Sequence, residues 1–369
     1  MDRLADGADG VLRRAAQHGL AHALQLLGTR RGDEAMLQQA LALQREVLLQ
    51  TRREDDPGAW ADAQGVLGRV LYTLGARRSD AALLQAAAVA FGQALEVRTR
   101  AAAPQRWARL QATLGIALGM LARIDGSQVT RQRAIAAFRE VLKEFSRERT
   151  PIEWARAQNN LGIELLMLGQ QAADAALLEQ AAAALRASLS VYDDDNRPVL
   201  WAMAQHNLGG TLIELGGLRK DPELFEQAVT ALRLAARHFD REHSPVYWSA
   251  AHSDLANALA LAGRHRQSLS MLLEAERCAR AAIDVRRQSG SVLELAVSDI
   301  NLGEVLLVRA ELFADALAGR AALDCFDRAL AQLSAERMPV DHQIACDRRE
   351  RALVALAAIP PTGGPPVST

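Results

Sequence analysis

The sequence predicts an all-α solenoid: seven helix pairs in tandem, closed by one further helix. Three observations predict it. The five tryptophans, Trp60, Trp107, Trp154, Trp201 and Trp248, stand 47 residues apart, each three residues after a proline (Pro57, Pro104, Pro151, Pro198 and Pro245). At the same spacing a leucine column runs unbroken through Leu20, Leu67, Leu114, Leu161, Leu208, Leu255 and Leu302. An alanine column does likewise through Ala40, Ala87, Ala134, Ala181, Ala228, Ala275 and Ala322. A fixed period in this range marks stacked helical units that bury their apolar faces only against their neighbours. That removes the expectation of two or three globular domains that 369 residues would otherwise carry.

Residues 1–9 form an N-terminal extension, and seven copies follow: 10–56, 57–103, 104–150, 151–197, 198–244, 245–291 and 292–338. Each copy opens with a first helix (A) at the proline column, where a fixed φ and a missing N–H do no harm. Thr150-Pro-Ile-Glu153 and Ser291-Val-Leu-Glu294 read as capping boxes. Tryptophan falls in the first turn of helix A and is expected to pack on the preceding second helix. After the leucine comes a small residue, Ala21, Gly68, Gly115, Gly162, Gly209, Ala256 or Gly303, which lets the two helices approach. A second small column, Gly28, Gly75, Ala122, Gly169, Gly216, Gly263 and Ala310, suits a left-handed cap at the end of helix A.

Helix B starts at a column of capping residues, Asp33, Asp80, Ser127, Asp174, Asp221, Ser268 and Asp315. Its buried stripe pairs the alanine column with Phe91, Phe138, Leu185, Leu232 and Phe326 four residues on; Gln44 and Ala279 are the exceptions. Residues 339–358 form a charged capping helix. The tail 359–369, rich in Pro and Gly, is expected to be disordered.

The formal net charge is −1, so no global basic field recruits nucleic acid or an anionic membrane. Nor is there a basic stripe with interleaved aromatics; the tryptophans are structural. Three cysteines, an odd number, argue against a disulfide framework. Cys278 and Cys325 occupy equivalent places in adjacent copies and read as small core residues. The start lacks the charge and apolar run of a signal peptide, and no stretch approaches the roughly 20 apolar residues of a membrane span. The expected compartment is the cytoplasm. Motifs for catalysis or phosphate loops are missing, so the expectation is a non-enzymatic protein without cofactor or metal. His18 and His22 stand at i, i+4, but no third ligand accompanies them. Asp193-Asp194-Asp195 reads as a solvated turn.

The order Leu161-Gly162, Gly169, Ala181, Leu185 and Leu189, repeated in Leu67-Gly68, Gly75, Ala87, Phe91 and Leu95, resembles the tetratricopeptide repeat (TPR). That family has a usual period of 34 residues. Here extra residues lengthen helix A around Trp and separate the glycine from the alanine column. The phrase Trp154-Ala-Arg-Ala-Gln-Asn-Asn-Leu-Gly162 is similar to the long variant of bacterial multi-repeat proteins. The resemblance covers 10–338. It implies a right-handed α-solenoid whose helix A faces line a concave groove for peptides or partner helices.

It also implies where that groove's residues lie: five, two and one before the leucine, and two after it. Those positions hold Arg109, Arg156, Asn159, Asn160, His206, Asn207, Asp254, Asn257 and Asn301, the expected binding residues. Asparagine amides donate to and accept from an extended backbone together. Arg69, Arg109 and Arg156 fall in successive copies and suit carboxylate or phosphate. Asp254, Asn257 and Glu304 make the C-terminal half less basic, which would orient a peptide with an acidic segment. The clamp that chaperone-binding members use for a terminal carboxylate is missing, since Ala112 with Ile116 and Asn159 with Ile163 stand where it needs Lys and Asn. The expected function is an interaction scaffold for a protein or peptide partner. The alternatives are a regulatory subunit acting in trans on an effector such as a caspase-like protease, or a self-associating structural protein.

Overall fold

The computed structural model describes residues 2–289, 292–336 and 338–360. Among them are fifteen α-helices and no strand. The pairs are α1 (Asp2–Arg31) with α2 (Glu34–Gln50), α3 (Pro57–Arg78) with α4 (Ala81–Val97), α5 (Pro104–Asp125) with α6 (Gln128–Val141), and α7 (Pro151–Ala172) with α8 (Ala175–Leu189). They continue as α9 (Pro198–Arg219) with α10 (Pro222–His238), α11 (Pro245–Arg266) with α12 (Leu269–Ser289), and α13 (Val292–Phe313) with α14 (Ala316–Gln332). The last helix is α15 (Pro339–Ala358). The chain divides into two units: Met1–Val191, holding α1 to α8, and Tyr192–Thr369, holding α9 to α15. The stretch expected as a separate extension is helical from Asp2 onward, as part of α1. Ser291 of the second expected capping box, and the tail beyond Pro360, lie outside the described residues.

Helix B is capped as its sequence column dictates. Asp33, Asp80, Ser127, Asp174, Asp221, Ser268 and Asp315 each accept a hydrogen bond from a first-turn backbone N–H. Among helices A, Asp56 caps α3 in the same way, but α5, α7, α9 and α11 have no side-chain cap. The expected Thr150 cap does not form. Its hydroxyl instead bonds the backbone of Ser146, at 3.2 Å from the N–H and 3.3 Å to the carbonyl. The cause is the tight turn that delivers the chain to Pro151, in which the Thr150 N–H donates to Ser146 O at 2.9 Å.

The turn between A and B is two residues long. Its first residue is left-handed in every copy: Gly32, Ser79, Gly126, Ala173, Lys220, Gln267 and Ala314, with φ from 50° to 73°. Its second is the cap of helix B. This corrects the role expected of the Gly28 column, which lies one turn earlier, inside helix A. Carbonyls of Gly28, Gly75, Gly169, Gly216 and Gly263 accept the N–H of the helix B cap at 2.9–3.0 Å. Glycine is needed there for space. A Cβ on Gly75 would stand 2.9 Å from Leu84 Cγ, and one on Gly169 would stand 2.8 Å from Leu178 Cδ2.

The other small column answers helix B in the same way. A Cβ on Gly68 would lie 2.7 Å from the Phe91 ring, one on Gly115 2.9 Å from Phe138, and one on Gly162 2.7 Å from Leu185 Cγ. Only two copies carry alanine there, Ala21 and Ala256. These are the copies in which helix B presents Gln44 and Ala279 in place of Phe or Leu. Hole and knob change together. The knobs Phe91, Phe138, Leu185, Leu232 and Phe326 are all at most 1% exposed, so they form the axis of the core.

At Trp107 the ring packs between two helices B rather than on the preceding one alone. Trp107 shares a cluster with Leu95 of α4 on one side and with Val141 and Phe145, in and just beyond α6, on the other. Trp201 meets His238 of its own pair edge-on, ring centroids 5.1 Å apart. Arg53, Arg100 and Arg241 lie over Trp60, Trp107 and Trp248 at 5.2, 5.7 and 5.4 Å. In the fourth such position Asp194 replaces arginine and pairs at 2.8 Å with the same His238. Asp193, beside it, accepts from the N–H groups of Asp195 and Asn196, so the triple-aspartate segment is a self-bonded turn.

Within the first unit α1 lies on α3, α3 on α5 and α5 on α7; within the second, α9 lies on α11, α11 on α13 and α13 on α15. Neighbouring helices B are bridged by long polar side chains instead, such as Arg139 to Gln180 at 3.1 Å and Arg233 to Glu274 at 2.6 Å. Each unit therefore presents helices A as its inner face.

Candidate functional site

In the first unit Arg109 and Arg156 are exposed, and Arg109 stands 3.9 Å from Glu153. Asn159 and Asn160 are half-buried, with the Asn159 amide donating to Asn160 Oδ1 at 3.5 Å. In the second unit His206 Nε2 lies 2.8 Å from Asp254 Oδ2, and Asn301 Nδ2 donates to Ser253 Oγ at 3.4 Å. These contacts tie α9 to α11 and α11 to α13, so this part of the polar set links adjacent helices A. Asn207 is half-buried and its carbonyl accepts from the Thr211 hydroxyl at 2.8 Å; Asn257 is exposed. The acidic character read from Glu304 does not reach the surface as free charge. Glu304 pairs with Arg348 and lies 3.3 Å from Arg351 and 3.8 Å from Arg264. Glu311 closes the network through Arg264 at 2.6 Å and Arg351 at 2.7 Å.

The helix A faces carry cavities. One of about 250 Å³ in the first unit is lined by Asn160 with Ile116, Met120, Ile163, Met167, Tyr72 and Arg123. Its floor is an ion pair, Arg131 Nη1 to Glu164 Oε2 at 2.9 Å, in which Arg131 is 6% and Glu164 9% exposed. Arg131 also donates to the Ala122 carbonyl at 3.3 Å. Burial pushes the Glu164 carboxyl above its ordinary value, against the opposing pull of Arg131 and Arg123. Burial likewise raises the Tyr72 phenol. Removing two charges from water costs more than a single ion pair returns unless both are well bonded, so such a pair is poor evidence of a purely stabilising role.

Sequence reasoning passed over this pair, although the columns hold the signal. Arg131 replaces the Leu37, Leu84, Leu178, Phe225 and Leu272 of other copies. Glu164 stands where Ala23, Val70, Ala117, Ala258 and Val305 stand elsewhere. Gly119 interrupts a column of larger residues (Gln25, Tyr72, Leu166, Ile213, Leu307), and any Cβ there would collide with the Glu164 carboxylate. Three departures from the repeat, each odd alone, meet at one point in space.

A cavity of about 300 Å³ in the second unit is lined by Asn257, Asn301 and Glu304 with Val297, Ile300, Ile344 and Arg348. His18, His22, Arg69 and Arg109 line another, of about 320 Å³, in the first unit. Among the described residues no group of three His, Cys, Asp or Glu could hold a metal ion. None of the described helices is long and apolar enough to cross a membrane. The three cysteines are free thiols; burial lifts Cys278 to about 11.

No protein-family model matches the chain, and no curated protein matches it. Solved structures that resemble it include a circular tandem repeat protein with novel repeat topology and enhanced subunit contact surfaces. That likeness has 20% identity and a TM-score of 0.34, over 95% of this chain and 91% of the other. Another is the human IFIT1 dimer with PPP-AAAA, at 15% identity and a TM-score of 0.26, over 92% and 90%. By its own fifteen helices, this chain is an all-α solenoid of tandem helix pairs.

Proposed function

We propose that this chain is a non-catalytic scaffold, a tetratricopeptide-like solenoid that holds a peptide segment or partner helix against its helix A faces. One observation carries the reading. From the second copy onward the recurring columns are consumed by packing, whereas Asn160, Asn257 and Asn301, at variable positions just before and after the leucine, line cavities. At the Asn160 cavity the amide would bond a partner's backbone. Ile116, Ile163, Met120 and Met167 offer adaptable apolar surface for its side chain. The free thiols fit a reducing compartment such as the cytoplasm.

The test is selection of a binding peptide from a displayed random library on the full chain, followed by titration into Asn160→Ala and Asn207→Ala. Each loss of a desolvated amide contact should weaken binding by roughly 1–3 kcal/mol. Unchanged affinity in both variants, with helical content intact, would remove the assignment.

Self-association is the second reading, favoured by α1. Its Leu12, Leu20, Leu26 and Leu27 are 67%, 53%, 50% and 42% exposed, an apolar surface of the kind that neighbouring copies bury. Light scattering across a dilution series separates the two: a mass that falls on dilution supports association, and a constant monomer mass excludes it.

A further inference from the structure

The cavity between α1, α3 and α5 has an unusual charge balance. Four guanidinium groups, from Arg69, Arg98, Arg106 and Arg109, face a single carboxylate, Asp62. That carboxylate is already taken, since Arg98 grips it with two bonds of 3.2 and 2.8 Å. Arg109 has only the distant Glu153, at 3.9 Å between exposed side chains. No hydrogen bond or ion pair engages the side chains of Arg69 and Arg106 among the described residues. Arg69 is nonetheless half-buried. Burial lowers the Arg69 guanidinium, and only the pull of Asp62, which Arg98 already holds, opposes it; such a cation is stabilised by an anion that enters.

We propose that this cavity binds a phosphoryl dianion, free or as the monoester of a small molecule. Three observations choose that chemistry. Two arginines without a hydrogen bond and one weakly paired arginine outnumber the charge of a monoanionic carboxylate, and guanidinium forks match tetrahedral oxyanions. The volume of about 320 Å³ is at the small end of ligand sites, enough for one phosphoryl group and a short stem. Its remaining wall, Ala61, Val66 and Leu110, is apolar and suits such a stem. A nucleic acid strand is disfavoured because no Trp, Tyr or Phe lines the cavity to give a base a large stacking surface. The site shares Arg109 with the expected peptide-binding residues but does not depend on a peptide lying on the helix A face.

Calorimetric titration of the full chain at low salt tests it, with inorganic phosphate, phenyl phosphate and benzoate as probes. Saturable binding of either phosphate probe, at least tenfold tighter than benzoate, is the expected result. Phenyl phosphate tighter than inorganic phosphate assigns an ester, and the reverse assigns the free anion. Arg69→Gln and the exposed-site variant Arg106→Gln should each weaken binding tenfold or more. Arg106→Gln, lying at the surface, keeps the test valid if Arg69→Gln fails to fold. His22 adds a second readout. Its imidazole is held below the ordinary value by burial, then by Arg69 and His18. An anion among Arg69, Arg98, Arg106, Arg109, His18 and Asp62 should raise it, visible by NMR as a pH midpoint that moves up with phosphate. Benzoate as tight as phenyl phosphate, no saturable phosphate binding, or full affinity in Arg106→Gln would each overturn the proposal.

Discussion

A methyl group added at Gly68 should destabilise the chain, and the same methyl should stabilise it once Phe91 is truncated. The Cβ would stand 2.7, 2.8 and 2.9 Å from Cε1, Cδ1 and Cζ of Phe91, well inside the roughly 3.5–4.0 Å of a favourable carbon contact. Phe91 is 1% exposed and has nowhere to swing. Overpacking of this kind costs about 1–3 kcal/mol, while alanine in place of a helical glycine contributes about 1 kcal/mol. The net for Gly68→Ala is a loss of up to about 2 kcal/mol. In a Phe91→Ala background, itself weaker by about 3–5 kcal/mol, the ring is gone and only the helix-propensity gain of about 1 kcal/mol remains. The sign of the Gly68→Ala effect therefore reverses, with a coupling of about 1–3 kcal/mol. Urea unfolding followed by circular dichroism on the four chains measures this, fitted with nearest-neighbour terms because repeat arrays need not unfold in one step. Equal shifts in both backgrounds would refute the argument that these glycines are holes cut for helix B.

Other outcomes follow from the same geometry. Arg131→Leu alone strands a buried carboxylate and should cost about 3–5 kcal/mol, whereas Arg131→Leu with Glu164→Val restores the column residues and should be neutral or stabilising by about 1–4 kcal/mol; thermal melts of the single and double variants decide it. Because burial holds the Glu164 carboxyl above its ordinary 4.5, the folded chain keeps a proton that the unfolded chain releases. Stability from this group is then lost as pH rises above 4.5, so wild type should weaken relative to Glu164→Gln on raising the pH from there, and a pH-independent difference would contradict this. Asp174→Ala removes the bonds to the Ala176 and Leu177 N–H groups and should cost about 0.5–2 kcal/mol, read by urea midpoint.

Repetition made the fold readable. A helix start supported by seven aspartates or serines at one spacing is a stronger signal than any single cap, and those caps form. Thr150 does not cap its helix because a local turn to Ser146 competes for its hydroxyl. The left-handed position was misplaced by four residues because glycine was taken as its marker, yet Ser79, Ala173, Lys220, Gln267 and Ala314 adopt it. Glycine in this chain more often marks close approach than backbone freedom. The paired exceptions Ala21 with Gln44 and Ala256 with Ala279 were visible in the sequence, but their meaning needed the register of helix A on helix B. The site was less legible for a related reason. Polar residues at groove positions are also the residues that link adjacent helices, as His206 with Asp254 does, and sequence spacing does not separate the two uses. Arg131, Glu164 and Gly119 lie in different columns, and only folding brings them together.

The most direct test of the scaffold reading is a capture experiment from the native host's lysate, comparing wild type with the Arg156→Ala/Asn160→Ala/Asn207→Ala variant by mass spectrometry. A partner held by wild type and lost from a variant that keeps its helical content is the predicted result. The same partners on both chains would contradict it, because the helix A face would then not be the binding surface.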